Sequence, residues 1–308
     1  MNLDLIIVSQ DNKFELVPRP QSAIEKAEPG AMRILSGMVA DTLALAHVGE
    51  AEAAFNLGCD YYNGNGVPLD YKLAAKYFRD AAEKSHVAAQ DRLGFCYEYG
   101  KGVTEDRHEA VRWFRMAAER GYAEAQFNLG WCYESEDPAE ALRWYLKAAG
   151  QGNVWAQQWL GICYENGQTI VPQDYVEAAK WFRKAAEQGE AHSQYCLAVL
   201  LQNGRGVAQD YAEAVRWYHK AVEQGHTKAQ NNLGLCFENG HGVEQDLPEA
   251  YKFYKLAAND PAADKLLDDD FTPFQGKSAT NLERIMARIT TAEIAEGERR
   301  YREFRANH

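Results

Sequence analysis

The sequence predicts an all-α fold, a solenoid of stacked helical hairpins preceded by a short β-hairpin. Three observations predict it. One motif recurs six times, with landmark leucines Leu57, Leu93, Leu129, Leu160, Leu197 and Leu233 spaced by 36, 36, 31, 37 and 36 residues. Self-similarity at that period marks stacked two-helix units. Each copy then carries two segments with apolar residues at helical spacing, separated in most copies by a glycine-rich turn.

The elements follow in order. Leu3 to Val8 and Phe14 to Val17 flank Gln10-Asp11-Asn12 and read as a hairpin. Ala31 to Ala46 reads as an apolar helix covering the first copy, so residues 1–50 form an N-terminal capping segment. The six copies span 51–86, 87–122, 123–153, 154–190, 191–226 and 227–260.

The second copy shows how each is built. Ala89, Leu93, Cys96 and Tyr97 share one face of its first helix, and Gly94 beside them lets a second helix come close. Gly100-Lys101-Gly102-Val103 supplies the reversal. The second helix opens at Asp106 with Glu109 three residues on, a capping box repeated at Asp137/Glu140, Asp174/Glu177, Asp210/Glu213 and Asp246/Glu249. Trp113-Phe114 and its equivalents follow, then Ala117-Ala118, and Gly121, Gly152, Gly189 and Gly225 end their helices. At this spacing the tryptophans read as core rather than as a ligand cage.

After the array, Ala262 to Leu267 resembles the start of a seventh copy, and Asp268 to Thr280 is a polar linker. Asn281 to about Arg305 reads as one amphipathic helix, with Leu282, Ile285, Ile289, Ile294, Tyr301 and Phe304 on one side. Residues 261–308 thus form a linker and a C-terminal helix, read either as a cap or as a detachable partner element.

This motif order resembles the Sel-1-like repeat family, relatives of the tetratricopeptide repeats with a longer internal loop. The matching segments include Ala123–Gly130, Asn239–Val243, Asp210–Ala214 and Trp181–Gly189. The resemblance implies a right-handed α/α superhelix with adaptor and assembly roles. Copy three departs from it in having Ser135-Glu136-Asp137 instead of the glycine loop. Copy four has Gly167-Gln-Thr-Ile-Val171, and copy five has Ala198 at the landmark glycine.

Composition narrows the function. The 308 residues include 33 basic and 45 acidic side chains, a net charge of −12, with 46% hydrophobic and 25% charged residues. This describes a core-forming protein, argues against nucleic acid as partner, and leaves room for a basic one. No apolar run approaches a membrane span, and the start does not read as an export signal, so the reading is cytoplasmic. Cys96, Cys132, Cys163 and Cys236 occupy equivalent positions, too far apart in stacked hairpins to bridge, and read as small core residues.

No cofactor, metal or catalytic residues are expected. Glu-x-x-His pairs at Glu83/His86, Glu105/His108 and Glu223/His226 lack a second pair beside them and read as solvent-facing. The glycine loops lack the preceding strand and following Lys-Ser/Thr of a phosphate loop.

The binding surface is expected on the face turned away from the hairpin partner, the inner face of a superhelix. The residue after each landmark glycine lies about 200° round the helix from its leucine. Cys59, Phe95, Trp131, Ile162, Val199 and Leu235 hold that place, and all are apolar. The residue before each leucine lies nearby: Asn56, Arg92, Asn128, Trp159, Cys196 and Asn232. The predicted partner-binding residues are Arg92, Phe95, Trp131, Trp155, Trp159, Ile162, Val199 and Leu235, gripping a segment or domain of another protein. The competing reading buries them between neighbouring first helices. Function is accordingly expected to be that of a non-enzymatic adaptor, the alternative being an immunity-type inhibitor that sequesters a toxic, secreted effector.

Overall fold

The computed structural model describes residues 5–10, 13–18, 50–167, 171–259 and 278–307. The expected helix at Ala31–Ala46, the seventh-copy start at Ala262–Leu267 and the linker up to Lys277 lie outside the described residues. The chain divides into two compact units, residues 1–122 and 123–308.

The first unit holds two antiparallel strands, β1 (Leu5–Gln10) and β2 (Lys13–Pro18), with Gln10 opposite Lys13 and Leu5 opposite Pro18. Two hairpins follow: α1 (Ala51–Asn63) with α2 (Tyr71–Glu83), and α3 (Val87–Glu98) with α4 (Arg107–Glu119). The second unit holds four more: α5 (Ala123–Tyr133) with α6 (Pro138–Gly150), α7 (Val154–Asn166) with α8 (Tyr175–Glu187), α9 (Ala191–Asn203) with α10 (Tyr211–Glu223), and α11 (Thr227–Asn239) with α12 (Leu247–Ala258). Two closing helices, α13 (Ser278–Met286) and α14 (Thr291–Asn307), pack on α12.

Each hairpin closes on one contact. The landmark leucines are fully buried, the second aromatic of each pair is fully or nearly so, and in five copies that aromatic lies against the landmark glycine. A methyl group at Gly58 would lie 2.6 Å from the Phe78 ring, and one at Gly94 would lie 2.8 Å from Phe114. In these copies a residue without Cβ lets the helices approach this closely. All six second helices start at an aspartate whose carboxylate accepts backbone N–H groups, for example Asp70 from Leu73 at 3.0 Å and Asp246 from Glu249 at 2.9 Å.

The glycine loop also has a stacking role. Gly206 (φ +68°) sits on the start of the preceding copy's second helix, where a Cβ would meet Tyr175 carbonyl atoms at 2.1 Å. Gly102 and Gly242 meet Tyr71 and Tyr211 in the same way. The residue between the two glycines then lies over that tyrosine's ring: Lys101 over Tyr71, Arg205 over Tyr175, and His241 against Tyr211. The copies followed by an altered loop begin their second helix with Arg107 or Pro138 instead of tyrosine. Loop and tyrosine therefore vary together along the chain.

The single C-terminal helix expected from Asn281 to Arg305 is instead two. Thr290 starts α14: its hydroxyl accepts the Glu293 N–H at 3.2 Å, and Glu293 accepts the Thr290 N–H at 2.7 Å. That reciprocal capping box makes a new helix start more favourable than continuation. The expected apolar face is nonetheless the docked one. Ile285 and Ile289 are buried with Leu235, Tyr251 and Tyr254, while Tyr301 and Phe304 pack against the core of copies five and six.

Candidate partner-binding surface

The first helices place the predicted residues in two groups. Phe95, Trp159 and Val199 are 6% exposed and Leu235 is 9% exposed, so they are seam residues between neighbours. Arg92, Trp131, Trp155 and Ile162 remain half-buried.

Particular contacts explain the burial. Phe95 stacks near Tyr99, with ring centroids 4.5 Å apart, and meets Tyr62 edge-on at 6.4 Å. Trp159 lies on Tyr145 at 3.9 Å and donates its indole N–H to Glu134 Oε1 at 3.2 Å. Leu235 is covered by Ile285 and Ile289 of the closing helices. The Arg92 charge acts on Tyr62 and Cys59 of the copy before it. Ile162 packs at the edge of the core of copies four to six. The accessible part of the apolar stripe in the second unit is therefore Trp131, Trp155 and Ile162, on α5 and α7.

Sequence reasoning passed over a ladder of polar residues three positions after the stripe, one helical turn on: Tyr62, Glu98, Glu134, Glu165, Gln202 and Glu238. In copy six, Glu238 is 1% exposed and accepts from Tyr254 Oη at 2.6 Å, from Arg284 at 2.7 Å and from Arg288. In copy five, Gln202 accepts from Tyr218 Oη at 2.8 Å, and Asn232 of the next copy donates to that same hydroxyl. Copy four, like copies one and two, has a phenylalanine in place of the tyrosine, here Phe182, with no hydroxyl. Burial pushes the Glu165 carboxyl up to about 7, against the opposing pull of Arg205. The signal for this ladder was available in the sequence: an acid or amide pairs with tyrosine in copies three, five and six.

Of the three histidines expected to face solvent, His108 is exposed, whereas His86 and His226 are half-buried. His86 and His226 cap α3 and α11, their Nδ1 atoms accepting the N–H of Ala89 at 3.1 Å and Ala229 at 3.2 Å. His86 stacks on Phe55, and its Nε2 donates to Glu52 at 2.9 Å. Burial, with His192 next in effect, holds His226 down at about 3, so its ring is neutral and its lone pair free to cap.

Among the described residues no three His, Cys, Asp or Glu side chains are grouped to hold a metal ion. No described helix is long and apolar enough to cross a membrane. Cys96, Cys132, Cys163, Cys196 and Cys236 are buried and form no disulfide, and burial raises the Cys96 thiol to about 12.

Repeated helix pairs, each opened by an aspartate cap on its second helix and all but the fifth closed by a glycine–aromatic contact, define an α-helical repeat protein. The chain belongs to the Sel1 repeat family, whose model matches residues 51–86, 87–122, 123–153, 156–190, 191–226 and 227–260. A Sel1 repeat protein from Oxalobacter formigenes is 30% identical, with a TM-score of 0.64 over 73% of this chain and 97% of its own. A protective antigen of uropathogenic Escherichia coli with an SLR fold is 25% identical, with a TM-score of 0.54 over 92% of this chain and 69% of its own. An immunity protein from Pseudomonas aeruginosa is more distant, at 19% identity and a TM-score of 0.44 over 76% of this chain and 93% of its own. Comparison with curated proteins gave no match.

Proposed function

We propose that this Sel1 repeat protein is a non-enzymatic adaptor that binds another protein on the first-helix face of copies three and four. One observation carries the reading: the apolar stripe is sealed at Leu235 by the closing helices but left half-covered at Trp131, Trp155 and Ile162. Half-covered aromatic anchors are the residue type that supplies most binding energy at protein interfaces. The interruption of the glycine loop in these same two copies leaves their surroundings unlike the rest of the array.

The partner is recognised by apolar contact with a charged component. Its basic character is supported by the net charge of −12 and by the carboxylates of the ladder. A second reading, an inhibitor that covers a toxic effector, draws on the same acidic balance.

Affinity capture with mass spectrometry tests the proposal by comparing wild type with a Trp131→Glu/Ile162→Glu variant confirmed as folded by circular dichroism. The adaptor reading expects one specific protein to be lost from the variant. Retention of every captured protein overturns the site, and a captured secreted toxin favours the inhibitor.

A further inference from the structure

Histidine caps a first helix twice, at His86 and His226, and each ring serves two copies at once. Nδ1 accepts a backbone N–H of its own helix, and Nε2 reaches back to the preceding copy. Between copies one and two, Nε2 of His86 meets the Glu52 carboxylate at 2.9 Å. Between copies five and six, Nε2 of His226 meets a second imidazole, at Nδ1 of His192, 3.4 Å away. Glu52 and His192 hold the same place in their copies, five residues before the landmark leucine.

These contacts assign the protons. His226 Nδ1 is bare, because it accepts the Ala229 N–H at 3.2 Å, so the proton of the neutral ring is on Nε2 and points at His192. His192 Nδ1 is then the acceptor, and its own proton is on Nε2, 3.4 Å from Cys196 Sγ. Burial, and then the Glu165 charge, hold that thiol well above its usual range, so the sulfur stays neutral and accepts weakly. Both nitrogens of both rings are therefore engaged. A further proton on His192 sets two N–H groups against each other, and a further proton on His226 removes the cap of α11. The other charged and titratable groups around the pair are Glu190, whose carboxylate caps α9, Lys228 on α11, and Tyr195, stacked on His226 at 4.7 Å with Tyr218 of α10 behind it.

We infer that the His192–His226 pair makes the seam between copies five and six an acid-sensitive joint that loosens α11, whereas the Glu52–His86 seam holds. The inference is independent of the partner-binding face. Its sign follows from linkage. Rings kept neutral in the closed joint and free to titrate in the open one stabilise the closed form above about 6.5, and that contribution is lost as pH falls. Between copies one and two a carboxylate replaces the second ring, so no pair of N–H groups can be brought face to face there. Glu165, which burial pushes up to about 7, takes up its proton in the closed form and acts in the opposite sense. The variants compared below all keep it.

Native-state hydrogen exchange of the full chain tests this, read by mass spectrometry at pH 7.5 and 5.5 and corrected for the intrinsic exchange rate. Wild type is compared with His192→Gln, which keeps an acceptor and a donor without titrating, and with His192→Glu, which transplants the Glu52 arrangement. Glu52 and Glu124 already occupy this position in copies one and three, so the helix accepts the residue. The expected result is that acidification increases opening at α11 about tenfold for each histidine, about a hundredfold in wild type. Each variant lowers the response to about tenfold or less, and α3 responds less than α11. An α11 response of equal size in wild type and both variants overturns the joint, as does one that α3 shares in full. Exchange at α11 that does not change with pH overturns it too. So does a response spread evenly over α7 to α12, which would report unfolding of the whole unit.

Discussion

The phenol of Tyr254 donates to the Glu238 carboxylate at 2.6 Å, inside the last hairpin. Arg284 of α13 and Arg288, just past its end, close on the same carboxylate, so one buried group holds together the sixth copy and the closing helices. Removing it leaves a buried hydroxyl without an acceptor and two guanidiniums without a counter-charge. Glu238→Ala is expected to lower stability by about 1–3 kcal/mol. Urea unfolding measures this, and limited proteolysis should show α13 and α14 cut faster than in wild type.

Gly94 faces the Phe114 ring with no space for a methyl group. Gly94→Ala should cost about 1–3 kcal/mol by overpacking, and a smaller ring-site residue, Phe114→Leu, should recover part of the loss in the double variant. The fifth copy already carries Ala198 at this position, so Ala198→Gly there is expected to change stability by less than about 1 kcal/mol. Denaturant midpoints of the four proteins check both statements.

Among the described residues, Ser85 is the one non-glycine residue with positive φ, at 66°. It stands at the helix end where later copies use Gly121, Gly152, Gly189 and Gly225. Ser85→Gly should therefore stabilise the protein by roughly 0.5–1 kcal/mol, since glycine takes that conformation without a Cβ penalty. A raised thermal midpoint is the expected reading.

His226 gives the fold an acid-sensitive cap. Its folded value of about 3 lies below the ordinary 6.5, so the unfolded chain takes up the proton first as pH falls. The stability this group contributes is present above about 6.5 and is lost progressively down to about 3. His226→Asn keeps a capping acceptor without the titration. The variant's stability should fall less than wild type's between pH 6.5 and 4, measured by urea unfolding across that range.

Much of the array was legible in the sequence because each hairpin is fixed locally. Leu93, Gly94, Asp106 and Gly121 each signal one structural event within a single copy. The break between α13 and α14 was equally local, written in Thr290 and Glu293, but an apolar face continuous across it masked the signal. The surface was harder to read. Helical geometry put Phe95, Trp159, Val199 and Leu235 on one face of their first helices, yet whether a face is exposed depends on the neighbouring copy. The Arg92 guanidinium acts on Cys59 and Tyr62 of the copy before it, and Trp159 reaches Glu134 of its predecessor. Such contacts depend on how far one hairpin is displaced from the next, which no single copy encodes.

The most direct test of the account is site-specific photo-crosslinking in the native host. A photoreactive residue is placed at position 131 in one protein and at position 116, an exposed methionine on α4, in another. The account predicts that position 131 captures one discrete protein and that position 116 does not. Capture of that protein from position 116 alone, with none from 131, would contradict the assignment of the binding face.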